Sequence, residues 1–237
     1  MTLRDSIKAN PLAAPLVERW RDLRAALTDW NRRRVSENYC GDIFEDFYVN
    51  KRWMVDGDSV SGDGSTLSST IEIRRRLPLL ANQLNIKSLV DAPCGDFLWM
   101  REIVGCFEKY VGIDIVPKLV ASNNQQFANN RIGFLVADIT KDPLPAGDAV
   151  LCRDCFIHLS TALIWEALRN FRKAGFRYIM LTQNDPVTEY REIVTGGCRA
   201  INWRLPPFSF PRPVDSIVEN TGNGRLIAIW EASTLLI

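Results

Sequence analysis

The 237-residue chain contains a single histidine, His158, and that scarcity excludes any multi-histidine metal site. It also lacks a surplus of charge of either sign, because 29 lysines and arginines stand against 28 acids. A net charge of +1 gives no electrostatic reason to expect nucleic acid or a membrane surface as partner. With 46% hydrophobic and 24% charged residues, membrane-spanning, collagen-like and intrinsically disordered classes are out. The opening Met1-Thr2-Leu3-Arg4-Asp5 has no apolar export segment, so a cytoplasmic protein with free thiols is expected. Cys152 and Cys155 have the two-residue gap of a redox or zinc motif, but no second pair completes four ligands, and no metal is expected.

What is present is ordered along the chain. Leu16, Trp20, Leu23, Leu27 and Trp30 recur at helical spacing over residues 11–31, and Arg32, Arg33 and Arg34 suit the end of that helix. Three roles are open to it: docking on the main domain, lidding its pocket, or pairing with a second copy as a homodimer. The glycine- and serine-rich stretch from Asp56 to Ser69 reads as a loop, so residues 1–56 form a helical extension and 57–237 the main domain. A helix from about Leu67 to Leu84 follows, with Pro78 predicting a kink or break.

From Ile86 apolar runs alternate with amphipathic stretches. Strands are predicted near 87–91, 109–114, 132–137, 147–152 and 177–182, and helices near 97–105, 117–128 and 161–174. Alternation implies an α/β fold with a parallel sheet. Val214–Glu219 and Arg225–Glu231, joined by Asn220-Thr221-Gly222-Asn223-Gly224, read as a hairpin, so the sheet has seven strands and finishes antiparallel.

Ligands of such sheets bind outside the carboxyl ends of the strands. Four strands end in acids there: Asp91, Asp114, Asp138 and Asp154, the first three spaced by 23 and 24 residues. A carboxylate closing an apolar run is costly unless something pairs with it. Asp114, 19 residues past Gly95, stands where an acid accepts the hydroxyls of an adenosine ribose. Asp138 can accept from an adenine amino group while the Ile139 amide donates to a ring nitrogen. Gly95 lets the first turn approach a ligand, and Asp91 would hold that turn or a ligand ammonium. The bland reading of each acid is a cap on the next turn.

This constellation resembles the class I, Rossmann-like S-adenosylmethionine-dependent methyltransferases over roughly Ile86 to Thr182. Asp91 and Gly95 match the acid and middle glycine of that family's first motif, while Pro93 and Phe97 replace its other glycines. Asp91-Ala92-Pro93-Cys94-Gly95-Asp96 with Cys152-Arg153-Asp154-Cys155-Phe156-Ile157-His158-Leu159 looks like a group of small bacterial methyltransferases, to which Ser61-Gly62-Asp63-Gly64-Ser65 is similar too. The resemblance implies a doubly wound sheet and S-adenosylmethionine as cofactor, leaving as S-adenosylhomocysteine. It implies cofactor contacts at Asp91, Pro93, Cys94, Gly95, Asp114, Ile115, Asp138, Ile139, Cys152 and Arg153. Gly64 and Ser65 are expected to close over the methionine end with Arg74 as ion-pair partner, against the alternative of a surface loop capped by Ser65 or Ser68.

Asp154 and His158 are the catalytic candidates, with His158 as base and Asp154 orienting it across one turn. Asn184, Arg199 and Asn202 are expected to hydrogen-bond an acceptor stacked on Trp203 and Phe208, against the alternative, commoner for aromatics at such spacing, that the rings are core. Strand four lacks the Pro-Pro-Tyr or Pro-Pro-Phe run of DNA amino-methyltransferases, which argues against a nucleic-acid substrate. The leading reading is O-methylation of a small polar acceptor, such as a sugar or glycan. Transfer to nitrogen or carbon stays open, as do a nicotinamide-dependent oxidoreductase, for which the glycine triplet is missing, and a cofactor-binding protein without catalysis.

Overall fold

The structure, a computed structural model, describes residues 40–54, 59–219, 222 and 224–237. The helix read over 11–31, with the homodimer it suggested, lies outside the described residues. The chain divides at Cys40, and the unit Gly41–Ile237 carries the sheet and the whole site.

Each apolar run predicted as a strand is one: β1 (Ser88–Asp91), β2 (Lys109–Asp114), β3 (Ile132–Val136), β4 (Ala149–Cys152) and β5 (Tyr178–Asn184). β4 and β5 are buried along their whole length, as expected of strands covered on both faces. The terminal hairpin is β6 (Asp215–Val218) and β7 (Arg225–Glu231). The order across the seven-stranded sheet is β3-β2-β1-β4-β5-β7-β6. β7 runs antiparallel to both neighbours and inserts between β5 and β6, while the other pairings are parallel. The chain reverses its direction of winding between β1 and β4, which opens a crevice at their carboxyl ends.

The helices are α1 (Cys40–Val49), α2 (Ile71–Gln83), α3 (Pro117–Phe127) and α4 (Thr161–Ala174). α4 buries Ile164, Ala167, Leu168 and Phe171 as one stripe, is capped by Ser160 and ends at Gly175 in the left-handed region. Pro78 lies inside α2, which continues past the break the sequence predicted.

The helix predicted over 97–105 does not form. Two single 3-10 turns, Met100–Glu102 and Val104–Cys106, stand in its place. Phe97 holds φ at +60°, incompatible with a right-handed helix, while its ring packs against Tyr110, Phe127 and Phe134. Burial of that ring outweighs the local preference.

Among the described residues no helix is long and apolar enough to cross a membrane, and no cluster of metal-ligating side chains occurs. The sheet has one tight point. A Cβ on Gly112 would stand 2.6 Å from the Phe134 ring and 3.0 Å from Cys94 Cβ, the floor of the first loop. Gly112→Ala should lower stability by about 1–3 kcal/mol through overpacking. Urea unfolding should show a lower midpoint at unchanged slope.

Candidate active site

A cavity of about 250 Å³ lies in the crevice. The β1 turn supplies Asp91, Pro93, Cys94 and Gly95, and the β4 turn supplies Arg153, Asp154, Ile157 and His158. Ser61, Gly62, Gly64 and Ser65 form one wall, and Tyr48, Trp53, Trp99, Cys198 and Arg225 complete the lining.

The β1 turn is fixed from several sides. Gly95 has φ +55°, and a Cβ there would lie 2.6 Å from Ser61 Oγ, so the wall loop rests directly on bare backbone. Ser61 Oγ accepts from the Asp96 amide at 2.8 Å and lies 3.0 Å from the Tyr48 hydroxyl. Asp96 in turn accepts from Ser59 Oγ and the Val60 amide at 2.7 and 2.8 Å. Beneath, Gly95 N–H donates to Asp114 Oδ2, and Asn123 donates to the Gly95 carbonyl.

Asp91 is buried, and Tyr110 donates to its Oδ2 at 2.8 Å. Burial pushes its pKa up to about 7, against the pull of the Tyr110 bond and of Arg153. Burial also raises Asp114 to about 6, although the amides of Val116 and Gly95 donate to it.

The β4 turn carries the strongest electrostatics. Arg153 Nε donates to Glu219 Oε1 at 2.8 Å, its Nη2 to the Gly64 carbonyl at 2.7 Å, and its Nη1 lies 3.3 Å from Asp154 Oδ2. Arg225 donates to the same Asp154 oxygen at 3.0 Å and pairs with Glu219 Oε2. Two guanidiniums and two carboxylates thus close a ring. Glu219 and Arg153 are almost wholly buried in it, and the Arg153 guanidinium also lies over Trp99. Burial alone would raise the Asp154 pKa, but Arg153 and Arg225 outweigh it and hold the carboxyl below its ordinary range. Thr182 Oγ1 accepts from the Asp154 amide and donates to Oδ1.

His158 is held by a different partner from the one expected. Its Nδ1 lies 2.8 Å from the Gly197 carbonyl, and no hydrogen bond joins it to Asp154. A carbonyl only accepts, so Nδ1 carries the proton and Nε2 keeps its lone pair. Gly197 is carried there by backbone pairing of its segment with the histidine turn: Gly196 N–H to His158 O, and Arg199 N–H to Ile157 O. Trp53 lies 5.5 Å from the imidazole, ring to ring, and stacks on Phe47 behind. Burial lowers the His158 pKa below its ordinary value, with the Gly197 bond and Asp154 opposing.

Of the expected site residues, the cavity brings together Gly64, Ser65, Asp91, Pro93, Cys94, Gly95, Arg153, Asp154 and His158. The others stand off it. Arg74 donates to the Leu67 carbonyl and to Thr70 Oγ1, fastening its own helix start. Asp138 takes the bland role: its Oδ1 accepts from the Thr140 amide and hydroxyl, capping a turn. The Ile139 carbonyl accepts from Asn170, half-buried Ile115 lies near Gly41 of α1, and Cys152 is buried at the end of β4 with half-buried Cys155 in the turn that follows, both unbridged thiols. Asp114 lies one layer below the cavity, on the amides that shape its floor.

The acceptor wall expected of Trp203 and Phe208 is core. Trp203 is 0% exposed, its indole donates to the Thr182 carbonyl, and Phe208 and Phe210 pack on it. Asn184 accepts from the Ile201 amide, Asn202 donates to Val187 O, and Arg199 donates to Leu159 O and the Tyr190 hydroxyl. These polar groups pin residues 185–211 to the rest of the fold and do not line the cavity described above. Aromatic lining comes instead from Trp53 and Trp99, and with Tyr48, Ser61 and Arg225 these were missed. The spacing of Phe44, Phe47 and Tyr48 was the readable signal for α1. Nothing local marked Arg225, whose role depends on where β7 inserts.

Residues 89–174 match the family model described as a methyltransferase domain. By fold, the chain is similar to the 1,6-didemethyltoxoflavin-N1-methyltransferase of Burkholderia thailandensis, solved with bound 1,6-didemethyltoxoflavin and S-adenosylhomocysteine. The TM-score is 0.52 at 17% identity, covering 68% of this chain and 79% of that one. It is similar also to the methyltransferase domain of bacterial CtHen1-CN, with TM-score 0.51 at 12% identity over 68% of this chain and 97% of that one. No curated protein sequence matches.

The residues fit the methionyl end of S-adenosylmethionine. Asp91 is a buried carboxylate on the cavity wall that an ammonium would stabilise, and Gly95 offers backbone without a side chain. S-adenosylhomocysteine carries the same ammonium and needs Asp91 ionised. Its affinity should therefore rise roughly tenfold from about pH 6 to about pH 8, as Asp91 loses its proton. Calorimetric titration should show that rise in the native protein, and weaker, flatter binding in Asp91→Asn.

Proposed function

We propose that this class I S-adenosylmethionine-dependent methyltransferase transfers its methyl group to a hydroxyl oxygen of a small polar acceptor, such as a sugar or glycan. The observation that carries the reading is the state of His158. It is a neutral imidazole on the cavity wall, with Nδ1–H committed to Gly197 and Nε2 left basic. A hydroxyl must lose a proton as it is methylated, and a neutral imidazole with its Nε2 lone pair available can take it. Trp53 and Trp99 contribute apolar aromatic surface to the cavity wall.

When bound, S-adenosylmethionine supplies a methyl group on a positively charged sulfur, open to in-line displacement. Asp91 holds the ammonium at the end of β1, and Gly95 admits the cofactor close to the backbone. Arg153, bonded to the Gly64 carbonyl, keeps the wall loop seated and water out. His158 Nε2 receives the acceptor proton, while Gly197 holds the ring in the one tautomer able to do so. Asp154, kept ionised by two arginines, is a poor base and a fixed acceptor of hydrogen bonds.

His158→Gln should lower kcat about 10²–10⁴-fold while S-adenosylhomocysteine still binds. In the native enzyme the acid limb of kcat/KM should fall below the ordinary histidine pKa of about 6.5, since burial favours the neutral ring. Retained turnover in His158→Gln on a hydroxyl acceptor, or a limb absent from the pH profile, would overturn the assignment.

A further inference from the structure

We infer that the acceptor is an uncharged compound with two neighbouring hydroxyls, one gripped by the Asp154 carboxylate and the other presented to His158. This rests on the O-methylation reading and narrows it to a substrate class.

The first observation is charge balance. The cavity's two guanidiniums, Arg153 and Arg225, are matched by Asp154 and Glu219 in a closed ring. A carboxylate or phosphate acceptor would find both cations already committed and would place an uncompensated charge in a half-closed site. An ammonium acceptor would find Asp154 already satisfied by two positive partners. Neutral His158 adds no charge to recruit either.

The second observation is the state of the Asp154 oxygens. A carboxylate offers about four lone-pair sites. Arg153 and Arg225 meet Oδ2, and Thr182 donates to Oδ1. Among the described residues no other group meets Oδ1, which leaves one site there, on a side chain 21% exposed that lines the cavity. A hydroxyl donating there makes a charge-assisted bond without disturbing the ring.

The third is position. Asp154 stands two residues before a single 3-10 turn, Phe156–His158, which His158 ends, and both side chains line the cavity. Two hydroxyls on adjacent carbons can reach the pair together, whereas one hydroxyl can engage only one of them. The missing contact leaves a buried acceptor unpaired, the situation in which a site discriminates strongly against the deoxy analogue.

The test uses four probes on one ring: cis-cyclohexane-1,2-diol, cyclohexanol, 2-hydroxycyclohexanecarboxylate and 2-aminocyclohexanol. Each is titrated calorimetrically into protein saturated with S-adenosylhomocysteine, and each is offered for label transfer from methyl-labelled S-adenosylmethionine. The diol should bind and accept label at least about tenfold better than cyclohexanol, and better than both charged probes. Asp154→Asn should bring the diol-to-cyclohexanol ratio close to one. A merely structural role for Asp154 would lower both probes together and leave their ratio intact.

Equal measurable binding of the four with label on oxygen, or oxygen methylation favouring cyclohexanol or a charged probe, overturns the inference alone. If Asp154→Asn does not fold, as judged by loss of S-adenosylhomocysteine binding, the native ratios decide by themselves. Label on the amino nitrogen, or label in none of the four from a protein that binds S-adenosylhomocysteine, overturns the O-methylation reading and the inference with it.

Discussion

The site depends on the ring of Arg153, Glu219, Arg225 and Asp154. Burying four charges is expensive, and a well-packed apolar replacement of such a ring is often no less stable. Its contribution is therefore positional. Each guanidinium has a rigid planar fork, so fixing one edge on Glu219 fixes where the other edge points. Arg153 then has its remaining nitrogens on the Gly64 carbonyl and Asp154, and Arg225 reaches Asp154 from the opposite side. The wall loop, the carboxylate and the end of β4 are located relative to each other by charge rather than by side-chain packing. Removing one member alone leaves a buried charge uncompensated, at a cost of about 3–5 kcal/mol.

A second constraint acts on the histidine. Backbone pairing of residues 196–199 with the histidine turn puts the Gly197 carbonyl on Nδ1. The irregular stretch after β5 thus serves the chemistry through its main chain. Its side chains do something else: Trp203, Phe208 and Phe210 form an aromatic core, and Asn184, Arg199 and Asn202 tie off carbonyls and amides that would otherwise be buried without partners.

That division explains how much could be read from the sequence. Strand positions were legible because β4 and β5, buried on both faces, must be continuous apolar runs. The acids at strand ends were legible because topology alone puts them at the crevice, and Asp91 and Asp154 line it. Asp138 shows the limit of that rule, since an acid at a strand end also caps turns. For Trp203 and Phe208 the sequence left core and binding wall both open, because aromatics between prolines have the same composition in either, and the structure makes them core. Phe97 was misread as helical because its left-handed backbone is dictated by three distant rings. Arg225 and Glu219 could not be assigned at all: their chemistry exists only across the sheet.

The placement of β7 has a consequence for how the protein comes into being. Arg153 and Asp154 are synthesised some seventy residues before Arg225, and until β7 is made β5 has an open edge and β6 has no neighbour. The strand that arrives last therefore does not simply extend the sheet; it fills a slot inside it and brings Arg225 to two waiting carboxylates. Structural completion and assembly of the site coincide in one step. A nascent chain short of that strand would hold Arg153, Asp154 and Glu219 with one guanidinium too few.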